Sequence, residues 1–239
     1  MILFFKRSKY SASTDAIHRH PFEEMIMSPV QRFSSDVAFT PAVKAIQQRK
    51  GSRQSYARME QSGGWRVVIT DALRGFIEAQ TSVYLATANA TGQPYIQHRG
   101  GPAGFLRVLD DRTIAFVDFA GNRQYISSGN LAENAKAHLF LMDYLHRQRI
   151  KIWGEAQVVE GDAAVVAKLM PPDYKARAEQ VIVFRVSAWD SNCPQHIPVR
   201  MDAKEVEQLL ADKESHIKTL EAEVERLKAT APGGCPTAC

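Results

Sequence analysis

The sequence predicts a mainly β fold of the α+β class, in which an antiparallel barrel or sheet carries peripheral helices. Three observations lead to this class. At least five runs rich in β-branched and aromatic residues follow one another at hairpin spacing, short helical segments separate some of them, and a long amphipathic helix lies near the C-terminal end.

Two helices are predicted before the first strand. In TPAVKAIQQRKGS, Thr40 is the N-cap, Pro41 takes the first helical position and Gly51 follows the end. In ITDALRGFIEAQ, Thr70 caps a helix whose apolar residues share one face. Apart from the first helix, residues 1 to about 60 show no sustained period, and residues 1–34 are interpreted as an irregular arm.

The strands are predicted from β-rich runs that end at turn residues. SVYLAT and a second extended run meet at a Gly92 turn, and FLRVL and TIAFVDF form another hairpin. HLFLMDYL, RIKIWGEAQVV and VIVFRVSAW supply three further strands. Short helices are predicted at SGNLAENAKA, starting near Asn130, and at GDAAVVAKLM. Ile150 and Ile152 alternate with polar residues, as in a half-buried strand.

The C-terminal helix, predicted over residues 201–230, has the clearest periodicity in the chain. Its seam alternates in steps of four and three residues through Val206, Leu210, Lys213, Ile217, Leu220, Val224 and Leu227. About three heptads could pair with a partner helix, or the helix could pack on its own domain; Lys213 in the seam weakens the first interpretation. Residues 231–239 are interpreted as a frayed tail.

Composition bounds the class of function. The chain has 239 residues, of which 45% are hydrophobic and 23% charged, and these values suit one globular domain with extensions, here predicted over residues 35–200. No apolar run is long enough for a membrane span, the first residues reverse the order of a secretory signal, and three cysteines give no disulfide or metal framework. These features predict a cytoplasmic protein without a metal. A net charge of +4 on scattered cations favours a small anionic ligand over nucleic acid.

Two polar clusters on successive hairpins could bind such an anion. QHRGGPAGF brings His98, Arg99 and the Gly100-Gly101 backbone to a strand crossing, where glycines admit a ligand and an arginine matches phosphate geometry. DFAGNRQYISSGNLAEN then places Asn122, Arg123, Gln124, Ser127 and Ser128 before a helix, a plausible phosphate cradle. Each cluster alone could also be an ordinary capped turn with a surface arginine.

The loop AWDSNCPQHIP is a third candidate. Gln195 could contact a substrate or a cofactor edge, and His196 could exchange a proton near neutral pH. The alternative is a proline-bounded loop that closes the core and holds a satisfied histidine.

Four segments together resemble the pyridoxamine 5'-phosphate oxidase-related FMN-binding proteins. They are TSVYLATANATGQPYIQHRGGPAGFL, VDFAGNRQYISSGNLAENAKAHLFLMDY, RIKIWGEAQVVE and AWDSNCPQHI, in that order, and the resemblance extends over about residues 35 to 200. It implies a split β-barrel homodimer that binds FMN at the subunit interface.

The resemblance also implies roles for individual residues. Arg99 and Arg107 would hold the FMN phosphate, joined by Asn122, Arg123 and Gln124. Arg149 would reach the flavin ring or the ribityl chain, where a cation stabilises a reduced anionic ring. Trp189 and Arg200 would lie near the ring, supplied by the neighbouring subunit.

The sequence departs from the oxidase proper at its substrate end. Gln124 stands where the oxidase has a lysine, and CPQHIPVR replaces an Arg-x-His segment that binds its substrate. The leading hypothesis is therefore an FMN-dependent oxidoreductase with a different small-molecule substrate. The alternatives are a flavin-binding module without turnover, acting as a sensor, store or electron-transfer partner, and a split barrel that uses the deazaflavin F420 or haem.

Overall fold

A computed structural model describes residues 33–191 and 194–230. A short 3-10 helix at Ser34–Val37 comes first. The helices and strands that follow, in chain order, are α1 Pro41–Arg49, α2 Arg53–Gln61, α3 Asp71–Ala79, β1 Ser82–Ala88, β2 Pro94–Gly100, β3 Arg107–Val108, β4 Thr113–Phe119, α4 Ile126–Glu133, β5 Lys136–Asp143, β6 Gln148–Val159, α5 Ala163–Leu169, β7 Ala178–Ser191 and α6 Ala203–Thr230.

The seven strands form one sheet in the order β2-β1-β5-β6-β7-β4-β3, and the registered pairs are antiparallel. The predicted α+β class is confirmed. Hairpin neighbours along the chain pair directly, while β7 crosses to lie between β6 and β4. This crossing brings the start of β7 beside the end of β4, where Phe119 pairs with Ala178.

The described residues fall into two compact units. The first comprises residues 33–142 and 149–191 and contains the sheet; the second comprises residues 143–148 and 194–230 and contains α6. The predicted N-terminal arm, apart from residues 33 and 34, and the predicted tail lie outside the described residues. None of the helices in the described part of the chain is long and apolar enough to cross a membrane.

Strands β4 and β7 are buried on both faces, which explains their continuous apolar runs IAFV and VIVF. In β4, Ile114 and Phe116 belong to a large core cluster, whereas Ala115 and Val117 belong to a smaller cluster with α5. Side chains that alternate along β4 therefore pack into the two clusters in turn, one on each face of the strand. Gly154 lies beside a bulge in β6, and a Cβ there would stand 2.0 Å from a backbone oxygen of β7.

Most elements match the sequence prediction closely. Thr40 and Thr70 cap α1 and α3 by accepting hydrogen bonds from Val43 N and Leu73 N, both at 3.3 Å. In β6, Ile150 and Ile152 are buried as the alternation indicated.

Three predictions of local structure were wrong. The segment before residue 60 contains α2, which was not predicted because its buried side carries the carboxylate of Glu60 rather than an apolar stripe. The run FLRVL forms only a two-residue strand. Helix α4 begins at Ile126 instead of near Asn130, because its N-cap is Tyr125 in a left-handed conformation, which carries no capping signal.

Candidate functional site

A polar cavity of about 170 Å³ lies where the end of β2, the end of β4, the start of β7 and the N-terminus of α4 meet. The residues that line it are mostly hydrogen-bonding ones: Tyr95, Gln97, Arg99, Asp118, Phe119, Gly121, Asn122, Arg123, Gln124, Tyr125, Ile126, Ser127, Ser128, Glu179 and Gln180. The two polar clusters predicted from the sequence thus meet at one place through Arg99 and the 122–128 segment.

Arg99 reaches the cavity from β2. It pairs across the ladder with the core residue Val83, so its side chain lies on the core face of the sheet. Its Nε forms an ion pair with Asp118 Oδ1 at 2.8 Å, its Nη1 donates to His98 O at 3.5 Å, and its Nη2 donates to Ser127 Oγ at 3.3 Å. Each Nη carries two N–H groups and has one described acceptor, so this guanidinium retains donor capacity.

A short network joins β4, β7 and α4 behind Arg99. Gln180 Nε2 lies 2.9 Å from both Asp118 Oδ2 and Ser128 Oγ, and it can donate to each of these oxygens. Gln180 and Asp118 are both buried. Because the Asp118 carboxylate is held by two partners, it fixes the position of Arg99 beside the cavity.

The loop after β4 is bent by two residues with positive φ. Arg123 has φ 61° and Tyr125 has φ 54°, a conformation that costs free energy for side chains other than glycine and that clusters at ligand-binding loops. Asn122 Oδ1 accepts a hydrogen bond from Gln124 N at 3.2 Å, and Tyr125 Oη donates to Glu179 Oε1 at 2.7 Å. The Arg123 side chain is exposed and has no hydrogen bond or ion pair with any described residue.

Helix α4 begins at the cavity without a side-chain cap. The side chain of the N-cap residue Tyr125 accepts no hydrogen bond from the first turn. The first N–H groups of a helix have no partner within the helix, and together with the helix dipole they favour an anion. Ser127 and Ser128 lie in this first turn, where their hydroxyls and amides are close to Arg99 and Gln180.

The cavity contains charges of both signs. Arg99 and Arg123 are balanced by Asp118 and Glu179, so the side chains alone produce no large positive field. An anion would therefore depend on directed donors: the remaining N–H groups of Arg99, the unpaired Arg123, and the α4 amides. These donors fit a phosphate group better than they fit a carbonyl oxygen or an amine.

Four other candidates lie near the cavity in sequence but do not line it. The His98 side chain is on the other face of β2, with Nε2 2.7 Å from Ser82 Oγ. Gly101 donates its N–H to Thr81 O at 3.1 Å, and a Cβ at Gly101 would stand 2.6 Å from Phe105. Gly100 ends β2. Arg107 is exposed on β3.

Arg149 and Trp189 lie elsewhere in the sheet. Arg149 alternates with the core residue Ile150 and therefore faces away from the core, and its Nε–H is buried without a hydrogen-bond partner in the described part of the chain. Trp189 is buried, and its Nε1 donates to Val68 O at 2.9 Å. Arg66 stacks on the Trp189 ring, with 5.2 Å from Cζ to the ring centroid.

A second cavity, of about 730 Å³, lies beside Trp189 and is lined by aromatic residues. Trp65 and Trp153 stack there with centroids 4.5 Å apart, and Lys151 lies over both rings. The imidazole of His138 contacts Trp153 edge-on at 4.9 Å. Burial, with a smaller contribution from the Lys151 charge, lowers the pKa of His138 to about 4.

The remaining candidates belong to the second unit. Gln195 and His196 are exposed in the loop after β7, and His196 has φ 62°. Arg147 holds this loop by donating to Pro194 O at 3.0 Å and to Ile197 O at 3.2 Å. Arg200 stacks on Tyr144, 4.6 Å from its ring centroid. Cys193 lies outside the described residues.

Several residues of the cavity could not be identified from sequence. Asp118, Glu179 and Gln180 end or begin apolar strands and carry no motif, and they reach Arg99 and Ser128 only through the crossing of β7 beside β4. A polar residue at the end of a fully buried strand was the single available signal, because such a residue needs a partner.

The chain was compared with known families, curated proteins and solved structures. No curated protein matches the chain. HupZ from Group A Streptococcus is 18% identical over 55% of this chain and 99% of its own, with a TM-score of 0.43. An FMN-binding protein from Syntrophomonas wolfei is 15% identical over 61% of this chain and 97% of its own, with a TM-score of 0.41.

The family model of pyridoxamine 5'-phosphate oxidase matches residues 69–210, more than half of the chain. The fold is the antiparallel split β-barrel with peripheral helices and a long C-terminal helix. The chain belongs to the pyridoxamine 5'-phosphate oxidase family, and the resemblance noted from the sequence is confirmed at this level. Membership in this family makes a flavin-type cofactor plausible and supports an oxidoreductase-like class of function.

Proposed function

We propose that this protein is an FMN-dependent oxidoreductase that holds the phosphate of FMN in the cavity between β2, β4, β7 and α4. The observation that carries the proposal is the junction of Arg99, Arg123 and the uncapped N-terminus of α4 around one cavity. These donors come from two separate parts of the chain, β2 and the 122–128 segment, and a phosphate ester is the group that uses them all.

Each donor has a distinct role in the proposed site. Arg99, fixed by Asp118, would present its free N–H groups to phosphate oxygens. Arg123 would close over the phosphate from the exposed side, since nothing else engages it in the described structure. Asn122, Gln124 and Ser128 would complete the hydrogen bonding around these two cations. His98, Gly100 and Gly101 would support the β2 end of the site from outside the cavity, and Arg107 on β3 stays a predicted contact of the phosphate.

Bound flavin would supply hydride or electron transfer at its ring, and the protein would supply binding, orientation and electrostatics. Arg149 is the proposed contact for the ring. Its buried Nε–H has no acceptor among the described residues, which is costly unless a ligand or another chain provides one.

The opposite orientations of Arg99 and Arg149 favour a homodimer with FMN at the subunit interface. Arg99 lies on the core face of β2 and Arg149 on the outer face of β6, and two strands separate them in the sheet. One flavin within one chain would have difficulty reaching both. A flavin held by one copy could meet Arg149 of the other, and Trp189 and Arg200 would be placed near the ring in the same way.

The substrate is a small molecule other than pyridoxamine 5'-phosphate in this proposal. Gln124 replaces a cation of the oxidase, and the segment CPQHIPVR replaces its substrate-binding segment. Gln195 and His196 are exposed there, so His196 would be available to exchange a proton with a substrate. A cytoplasmic location also stays a prediction.

The first experiment is an absorbance spectrum of the purified protein, with the released cofactor identified by mass. The proposal expects a flavin spectrum and the mass of FMN. A haem or deazaflavin spectrum would show that the protein uses that cofactor instead of FMN. A colourless protein that takes up no added FMN would overturn the proposal. A flavoprotein that no reductant or substrate turns over would instead favour a non-catalytic flavin module.

A further inference from the structure

Helix α6 presents a seam of seven positions, six of them apolar, that no other described residue of the second unit covers. Its seven seam positions run from Val206 to Leu227, and no residue of the helix is buried. Leu210 is 57% exposed, Leu227 is 53% exposed and Ile217 is 52% exposed. Large apolar residues that line one side of a helix and are exposed to water mark a surface that binds another molecule.

The seam has the residue types of a two-stranded parallel coiled coil. In heptad notation, Leu210, Ile217 and Val224 occupy a positions, while Leu220 and Leu227 occupy d positions. β-Branched residues at a with leucine at d favour parallel dimers, because of how each side chain packs into the facing helix. Two of the three a residues and two of the four d residues follow that rule; the exceptions at d are Val206 and Lys213.

We propose that α6 pairs with α6 of a second copy of this chain as a parallel, in-register coiled coil. The occupant of the seam is therefore the same seam, which matches itself under two-fold symmetry. This inference concerns assembly and does not depend on the proposed cofactor.

The charges beside the seam favour the parallel arrangement. In a parallel pair, a g residue faces the e residue of the next heptad on the other helix. Glu223 then faces Lys228 of the second copy, and His216 faces Glu221. A fully overlapping antiparallel pair would instead bring Glu214 against Glu221 and Glu207 against Lys228, each twice. At these flanking positions of α6, parallel pairing therefore adds an opposite-charged contact and no like-charged one, whereas antiparallel pairing adds both.

Lys213 is the one charged residue of the seam. It occupies a d position, where two copies would meet across the axis. Its long stem can leave the seam toward Glu214 of the other copy, at the neighbouring e position. A polar residue in one layer lowers stability but also fixes the register, since any shifted alignment would place lysine against leucine or isoleucine.

The test is cysteine cross-linking in the full chain. Cys193, Cys235 and Cys239 are replaced by serine, and Leu227→Cys is introduced at a d position or Ala229→Cys, as the matched control, on the outer f position. Under mild oxidation the proposal expects several-fold more disulfide-linked dimer from Leu227→Cys than from Ala229→Cys. Equal yields from the two variants would overturn it.

A second pair of variants tests the seam at a position two heptads away from the new cysteine. Lys213→Leu fills the seam, whereas Lys218→Leu adds the same side chain on the outer b position. In the Leu227→Cys background, the proposal expects Lys213→Leu to increase the cross-linked fraction and its resistance to dilution, and Lys218→Leu to leave both unchanged. If the two lysine variants behave alike, the seam is not buried against a second copy and the proposal fails.

Discussion

Two clusters in the first unit contain the same types of charged side chain but differ in how completely these side chains are paired. In the first, called the saturated cluster, every charge has a partner; in the second, the unsaturated cluster at the cavity, hydrogen-bond donors remain without an acceptor among the described residues. Between α1 and α2, the buried carboxylate of Glu60 meets both Arg53 and Lys44, with 3.3 Å from Glu60 Oε1 to Lys44 Nζ. Lys44 also contacts Asp36 Oδ1 at 2.5 Å. Hydrogen bonding to Asp36, aided by Glu60, raises the pKa of Lys44. Each of these charges is matched within the cluster.

In the cavity, the same residue types leave donors unused. Asp118 pairs with the Arg99 Nε, but each Arg99 Nη has only one described acceptor for its two N–H groups, and Arg123 has no hydrogen bond or ion pair in the described part of the chain. Unsatisfied buried donors are costly, so a fold that keeps them near a cavity is suited to a ligand that satisfies them. The saturated cluster is structural, and the unsaturated one is the candidate binding site.

The comparison predicts that damage to the saturated cluster affects folding. Glu60→Gln removes the buried charge that compensates two cations and should lower the free energy of unfolding by about 3–5 kcal/mol. Chemical denaturation measures this change, and Glu160→Gln, at an exposed position, is the control. The comparison fails if Glu60→Gln is as stable as the control, or if the folded variant loses FMN binding selectively.

Damage to the unsaturated cluster should affect binding. Arg123→Ala removes a charged hydrogen-bond donor from the proposed phosphate, and such a bond contributes about 1.5–3 kcal/mol, so FMN affinity should fall roughly 10- to 150-fold. Stability should change little, because the exposed side chain has no hydrogen bond or ion pair with any described residue. Calorimetric titration measures the affinity, with Arg58→Ala, at an exposed position of α2, as the control. An unaltered affinity in Arg123→Ala would remove this residue from the site.

A smaller effect is expected from His138, which has no compensating carboxylate in contact. Its pKa is lowered from 6.5 to about 4 in the folded protein, mainly by burial and also by Lys151. The unfolded chain therefore binds a proton first as the pH falls. The stabilisation is complete above pH 6.5 and is lost progressively as the pH falls toward 4.

His138→Phe tests this linkage, since phenylalanine keeps an aromatic contact with Trp153 and cannot titrate. The difference in unfolding free energy between pH 7 and pH 4.5 should be smaller in the variant than in the wild type. Identical pH profiles for the two proteins would show that another group governs the acid sensitivity.

The sequence predicted the strands and caps of this fold because those features are local. The threonine caps of α1 and α3, the Gly92 turn and the apolar runs of β4 and β7 each have a pattern within a few residues. Helix α2 was not predicted from the sequence because a buried glutamate and two cations stabilise its packing, and their pairing is visible only in three dimensions.

The site was predictable in part for the same reason. Arg99 and the 122–128 segment follow strands and stand out as cations beside glycines or amides. Asp118, Glu179 and Gln180 did not, because they join the cavity through the pairing of β4 with β7, which is distant in sequence. The left-handed Tyr125 that starts α4 also carries no sequence signal.

The central claim is that the cavity holds a phosphate group, and titration of the cofactor-free protein with FMN and with riboflavin tests it most directly. The two ligands share the ring and the ribityl chain and differ in the phosphate. The account predicts that FMN binds at least about 100-fold more tightly than riboflavin, since several charge-assisted hydrogen bonds are lost with the phosphate. Equal affinities for FMN and riboflavin would contradict it.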